Sequence, residues 1–300
     1  MQVANTGRIK KMLDFRLYDY LDTQTSVTVI VDSTSSLTNS RATTMLCRVP
    51  EIILPQLNTH RVFSRNVASN RAKRFSVNAK NMTYKPVIWL ENHKGMQSEK
   101  LLPEWKSWIA NIIWGSSKIS SYIHGYLLDK LGVSKQYSNR VTTPYRYTDY
   151  LVTSSSWDNF LYQRDDNHAQ FEIQVVARKI RQALEESKST LLNYDEWHLP
   201  FITDLERERF DTITQIKLSV ARCARTSYGN NASKIENDIK LYNQLVLSKP
   251  PHLSPTEHQL LVGNIEAHLE GNTKGFIQYR KLLEFYNFEQ ERVENYVESN

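Results

Sequence analysis

Two runs rich in β-branched residues, SVTVIVDS (26–33) and ATTMLCRV (42–49), flank the polar stretch STSSLTNSR. Branched side chains suit a pleated surface, and clustered Ser, Thr and Asn favour a turn, so this arrangement reads as strand, turn, strand. A face of such a pair must be covered, and the cover is legible too. HAQFEIQVVARKIRQALEES (168–187) carries apolar residues at Ile173, Val176, Ala177, Ile180 and Leu184, the spacing of a helix with one core-facing stripe. The two signals together predict an α+β fold, with a mixed or antiparallel sheet flanked by helices.

The rest of the chain supplies more helices. PEWKSWIANIIWGSSKISSYIHGYLLDKLG (103–132) has Trp105, Trp108, Ile109, Ile112 and Ile113 at near-helical spacing, with Gly132 at its end. DYLVTSSSWDNFLYQR (149–164) passes from an apolar run through a Ser/Thr turn into a helix. TITQIKLSVARCARTSYG (212–229) reads as a helix closed by Gly229, and KIENDIKLYNQLVLSK (234–249) as one stopped by Pro250 and Pro251. Pro50 stands at a helix start that could run on into the basic segment beyond it, although Pro55 makes that helix kinked or late. Residues 187–213 lack periodicity and read as a connection. With no repeat, low-complexity tract or linker, residues 1–300 are expected to form one domain.

Composition excludes several classes. The hydrophobic fraction of 40% and charged fraction of 23% are those of an ordinary soluble protein. No apolar run approaches the ~20 residues of a membrane helix, and MQVANTGRIKKMLDF lacks a secretory apolar stretch. Cys47 and Cys223 lie far apart without metal-like spacing, so neither a disulfide framework nor a metal site is expected, and the location read is cytoplasmic. A net charge of +6 suits phosphate-bearing partners but is too small to imply nucleic-acid binding.

Three polar clusters remain. LNTHRVFSRNVASNRAKRF (57–75) packs one histidine, five arginines or lysines, two serines and three asparagines into one segment. The second, 139–172, carries Arg140, Asn159, Arg164 and His168; the third joins VARCARTSYG to PPHLSPTEHQ (250–259). Arginine and serine side chains converging from separate segments suit phosphate binding through charge-assisted bonds. Each cluster also has a plainer reading: a solvated basic face, helix-capping or surface roles for Glu172 and Glu257, and a surface ion pair of Arg164 with Asp165 or Asp166. His60, His252 and His258 have no carboxylate or cysteine at ligand spacing, and no Gly-rich phosphate loop or dinucleotide fingerprint occurs.

HRVFSRNVASNR resembles the signature of the flavin-dependent thymidylate synthases, Arg-His-Arg, seven residues, Ser, with His60, Arg61 and Ser69 at the right spacing. SWDNFLYQRDDNHAQFEIQ is similar to that family's second block, with Asn159, Arg164, His168, Gln170 and Glu172 in register, and ARCARTSYG and HLSPTEH resemble two more. The last two blocks follow the signature here, whereas in better-known members they precede it, so the chain looks like a permuted subgroup associated with phage and bacterial genomes. The resemblance spans about residues 26–285 and includes GVSKQYSNR and GNTKGFIQYRK.

The resemblance implies reductive methylation of dUMP to dTMP, with FAD as cofactor and methylenetetrahydrofolate and NADPH as co-substrates, in a homotetramer with shared active sites. It requires neither membrane nor nucleic acid, and it places the chain in the host cytoplasm if phage-encoded. It assigns Arg164 to stabilising ionised uracil and Ser69 to the catalytic set. Gln56, Ser69, Arg71, Arg140 and Arg164 fall at substrate positions; His60, Arg61, Asn159, Ser254 and His252 fall at flavin or folate positions. Thr59, Val67 and Thr153 depart from the family's usual arginine, glutamate and asparagine, all at flavin-touching positions. These departures leave open a pyrimidine nucleotide hydroxymethylase serving phage DNA modification, or a non-catalytic nucleotide-binding homologue.

Overall fold

The computed structural model describes residues 24–94, 98, 100–227 and 234–299. β1 (Ser26–Ser35) and β2 (Arg41–Pro50) form the expected antiparallel pair, in register from Ser26–Arg48 to Thr34–Arg41 with one shift between Val29 and Val31. Beyond Pro50 the expected run of helix into the basic segment does not occur. A 3-10 turn (Glu51–Ile53) and the four-residue α1 (Leu54–Leu57) stop at Asn58, and Ser64–Val67 is instead a strand, β3. Pro55 lies at the N-terminal end of α1, where its missing N–H costs nothing but prevents extension of a helix from upstream. Downstream, backbone groups that would have been helical find partners on a neighbouring strand.

The chain then passes through α2 (Phe75–Asn78) into α3 (Glu104–Lys130), the 27-residue helix that the sequence predicts. The inner face of α3 is narrow. Trp114 packs edge-on to Tyr145 at 5.1 Å, and a Cβ at Gly125 would overlap the Phe75 ring and lie 2.9 Å from the Ser138 carbonyl oxygen. The residues that mark this helix in the sequence face away from the core, with Trp105 62% and Trp108 67% exposed. After α4 (Lys135–Ser138) comes β4 (Tyr147–Ser154), which pairs antiparallel with both β2 and β3.

α5 (Asp158–Arg164) and α6 (Phe171–Glu186) follow, and β5 (Thr190–Leu192) adds to β1 in parallel. The result is a mixed sheet ordered β3-β4-β2-β1-β5 with helices against it. Period-two alternation sends Met45, Cys47, Val49, Tyr150 and Val152 to one face, where they meet Ile173, Val176, Ala177 and Ile180 of α6. Those four helix residues are at most 2% exposed, as the stripe in the sequence requires. The opposite face carries the paired residues Thr44 and Thr153, and is polar.

Residues 187–213 are more than a connection. They hold β5, β6 (Trp197–His198) and α7 (Asp204–Arg209), the last opened by a Thr203–Glu206 capping box. α8 (Thr212–Ala224) and α9 (Ile235–Val246) match the predicted helices, whereas the proposed closure at Gly229 lies outside the described residues. With β7 (Leu260–Leu261), β8 (Ile277–Gln278), α10 (Tyr279–Phe285) and α11 (Gln290–Ser299) they enclose a second core around Ile216, Val220, Tyr242, Leu282 and Val293. Ala42, Leu192, Leu260, Val262 and Phe276 form an apolar seam where this unit meets the sheet. Among the described residues no helix is long and apolar enough to cross a membrane.

Candidate functional site

Between α1 and β3 the chain makes a tight turn in which Thr59 Oγ1 donates to the Gln56 carbonyl at 2.6 Å. The turn delivers the His60 ring, 6% exposed, onto the edge of Phe160 at 4.9 Å and beside Phe63 at 5.6 Å. Arg164, the last residue of α5, donates from Nε to His60 Nε2 at 3.0 Å and from Nη2 to Thr59 Oγ1 at 3.3 Å. A guanidinium only donates, so His60 Nε2 carries the lone pair and the ring proton sits on Nδ1. Burial first, then the charges of Arg164 and Arg65, bring the His60 pKa down to about 4, which keeps the imidazole neutral. The surface ion pair expected as the plainer role of Arg164 is absent. Asp165 is taken by Arg178 and Arg181 at 2.9 and 2.8 Å, and Asp166 by His168 at 2.7 Å. Among the described residues, no carboxylate meets Arg164.

Gln56 continues the cluster on the other side of the turn. Its amide donates to Gln170 Oε1; Gln170 Nε2 donates to Glu172 Oε2 at 2.9 Å, and Tyr84 OH to Glu172 Oε1 at 2.8 Å. Glu172 is therefore an anchor for two donors. The loop with Ser69 and Arg71 is fixed separately. Asn139 Nδ2 donates to the carbonyls of Asn70 and Lys73 at 2.7 and 3.1 Å, and Asn70 Nδ2 to Glu51 Oε1 at 2.9 Å. Glu51 is also ion-paired with buried Arg146 at 2.6 Å. Because Arg140 directly follows Asn139, exposed Arg71 and Arg140 belong to segments tied to one another. Glu51, Asn70, Lys73, Arg146 and Asp149 line a small cleft there.

The blocks late in the sequence meet the early one at β3. Asn66 Nδ2 donates to the Cys223 carbonyl at 3.3 Å. Ser64 Oγ donates to Asn272 Oδ1 at 3.0 Å and receives Gln278 Nε2 at 3.1 Å, while the same Gln278 amide reaches the Glu257 carbonyl at 3.1 Å. Some predicted residues are not brought in. Arg61, Asn159, His252 and Ser254 are exposed and make no hydrogen bond to His60 or Arg164. The arginines of the third cluster turn inward: Arg222 pairs with Glu206 at 2.5 Å and with Asp238 at 3.2 Å, and Arg225 with Asp238 at 2.8 Å. They are committed to the second core rather than to phosphate. Glu257 pairs with Arg280, and its pKa is raised by burial.

Sequence reasoning missed a polar chain on the buried sheet face. Ser33 Oγ lies 2.9 Å from His198 Nδ1, His198 Nε2 lies 2.8 Å from Thr44 Oγ1, Thr44 Oγ1 lies 2.6 Å from Thr153 Oγ1, and Thr153 Oγ1 lies 2.8 Å from His258 Nδ1. Burial lowers the pKa of His198 and of His258 to about 3. His198 sits in the aperiodic stretch 187–213, where no spacing marks it. Thr153, one of the three departures, is 0% exposed and fully engaged in this chain, so it offers no contact to an added ring. Val67 packs against the sheet core, and Thr59 holds Arg164.

Among the described residues no group of three or more His, Cys, Asp or Glu could hold a metal ion. The positions assigned to flavin fit it in part. Arg61, Asn159, His252 and Ser254 present exposed polar side chains, which suit a polar cofactor, whereas Thr153 is closed off. No family model matches the chain, and no curated protein matches it. Among solved structures it is similar to a UMP/dUMP methylase, PolB, from Streptomyces cacaoi, bound with 5-Br UMP. That likeness has a TM-score of 0.46 at 16% identity, over 54% of this chain and 89% of the other.

Proposed function

We propose that this chain methylates a pyrimidine nucleotide in the manner of the flavin-dependent thymidylate synthases, converting dUMP to dTMP with methylenetetrahydrofolate and NADPH as co-substrates. The observation that supports this most is the Arg164–His60 bond. It joins two of the resembling blocks, and among the described residues no carboxylate neutralises the guanidinium. In this reading Arg164 stabilises negative charge on the uracil, where a preorganised cation lowers the cost of the developing charge. His60, neutral and wedged against Phe160, orients the guanidinium. Gln56, Ser69, Arg71 and Arg140 bind the nucleotide, the arginines meeting its phosphate. FAD would be held by His60, Arg61, Asn159, Ser254 and His252, and when bound would supply reducing equivalents. A homotetramer with shared sites belongs to the same reading.

Isothermal calorimetry with dUMP and with FAD tests it, followed by an assay for dTMP. Binding of both with turnover is the expected result; binding of neither overturns it. The enclosure of Thr153 favours one second reading, in which flavin sits differently and the product is a hydroxymethylated pyrimidine nucleotide. Mass spectrometry of the product separates the two, and nucleotide binding without turnover would mark a non-catalytic homologue.

A further inference from the structure

The outer face of α3 is mostly apolar and is exposed along its whole length. Trp105, Ile109, Ile112, Ser116, Ile119, Ile123, Tyr126 and Lys130 succeed one another at steps of 4, 3, 4, 3, 4, 3 and 4 residues, and every one is exposed. That alternation is the seam of a coiled coil. Trp108 and Leu127 widen it. The opposite face is fastened to this chain: Ser117 Oγ lies 2.6 Å from Tyr145 OH, Trp114 packs on Tyr145, and Gly125 admits the Phe75 ring. The helix therefore cannot roll its seam inward. Its apolar side chains are 40–67% exposed, which amounts to on the order of 800 Å² per copy for side chains of this size. This exceeds the roughly 300–600 Å² patch of an ordinary monomer and equals one partner's share of a stable interface, about 800 Å².

We propose that α3 pairs with α3 of a second copy of this chain, antiparallel, about a two-fold axis between Ser116 and Ile119. The chemistry of the seam selects this direction. Antiparallel pairing sets Trp105 opposite the partner's Lys130, a ring against an ammonium, with Glu104 at the same end of the pair. The Lys130 ammonium already lies 5.5 Å from the Tyr126 ring on this face. Small Ser116 faces large Ile119, and Ile112 faces Ile123. Parallel pairing would instead put Lys130 on Lys130 and Ser116 on Ser116, giving like charges at one end and a gap at the centre.

The full-length protein tests this without nucleotide or cofactor; a monomer would also remove the homotetramer of the proposed function, whereas binding of dUMP and FAD is read separately by calorimetry. Sedimentation at micromolar concentration should give at least a dimer, and Ile119→Glu, which places two carboxylates near the axis, should halve the mass while leaving the helical circular-dichroism spectrum unchanged. Cysteine cross-linking fixes the direction, because Cys47 and Cys223 are fully buried. The double variant Ile112→Cys, Ile123→Cys should form an intermolecular disulfide on oxidation. Within one helix these positions are about 16 Å apart, and neither single variant should cross-link. Cross-linking by Ile112→Cys alone would show parallel helices and overturn the proposal. So would a monomeric wild type, including one that floats with phosphatidylcholine–phosphatidylserine vesicles.

Discussion

Arg164 approaches His60 through its Nε–H, 3.0 Å from an imidazole nitrogen whose lone pair is the acceptor. Burial and the same guanidinium hold that imidazole neutral, with its pKa down to about 4. A charged residue at the end of α5 is thus positioned by a neutral one from the turn after α1, 104 residues earlier.

Replacing Arg164 by alanine should reduce turnover by on the order of 100-fold or more, with the fold retained. Arg164→Lys should recover little, because an ammonium lacks the planar fork. The variant also has a readout free of activity. In Arg164→Ala the His60 pKa, followed by imidazole NMR, should rise above about 4 yet stay below its ordinary value of 6.5, since burial is the larger cause. Full methyl transfer by Arg164→Ala would show that the role is assigned to the wrong residue.

Acid should destabilise the fold through three histidines. His60, His198 and His258 titrate at about 4, about 3 and about 3 when folded, against about 6.5 when unfolded. Below the unfolded value the unfolded chain takes up protons that the native chain refuses. Their contribution is therefore complete above pH ~6.5 and is lost as pH falls from there toward the folded values, by at most about 1.4 kcal/mol per pH unit per histidine. The urea midpoint should fall between pH 7 and 5; a rise on acidification would reverse the sign argued here.

Thr153→Val keeps the volume but removes the hydroxyl that joins Thr44 to His258. Two buried polar groups then lose a partner, at a cost of about 2–4 kcal/mol. Thr153→Ser retains the hydroxyl and should cost less. Chemical denaturation of the two variants side by side gives the comparison.

Arg146→Met should be more severe, about 3–5 kcal/mol, because it leaves buried Glu51 without its ion-pair partner. Glu51 also receives Asn70, so loss of order should reach the Ser69–Arg71 loop. Hydrogen exchange of amides 68–73 would register it.

Two glycines of α3 should answer alanine with opposite signs. Gly115 faces open space, so Gly115→Ala should gain up to about 1 kcal/mol of helix propensity. At Gly125 the new methyl meets the buried Phe75 ring and the Ser138 carbonyl, and overpacking of about 1–3 kcal/mol should outweigh that gain. Thermal unfolding at one protein concentration tests both.

The sequence by itself determined most of the periodic elements. The β1–β2 pair, the buried stripe of α6, and helices α3, α8 and α9 were legible because side-chain spacing follows backbone period. It also marked the residues of 57–75, 139–172, and 220–229 with 250–259 as a set, and placed Arg164 at the junction of two helices. Tertiary structure decided what spacing does not encode. Ser64–Val67, within the run that could have continued as helix from Pro50, became strand β3 because the edge of β4 was available to it. Arg222 and Arg225 were drawn to Asp238 by the energetic need to pair a carboxylate that is 0% exposed. The spacing of apolar residues in α3 marked a helix but not the face it would bury, and the packing of Trp114 and Gly125 set that face. His198, Thr44, Thr153 and His258 lie far apart in the chain and share no period. Only strand register, and the approach of the C-terminal unit to the sheet, bring their polar atoms within bonding distance.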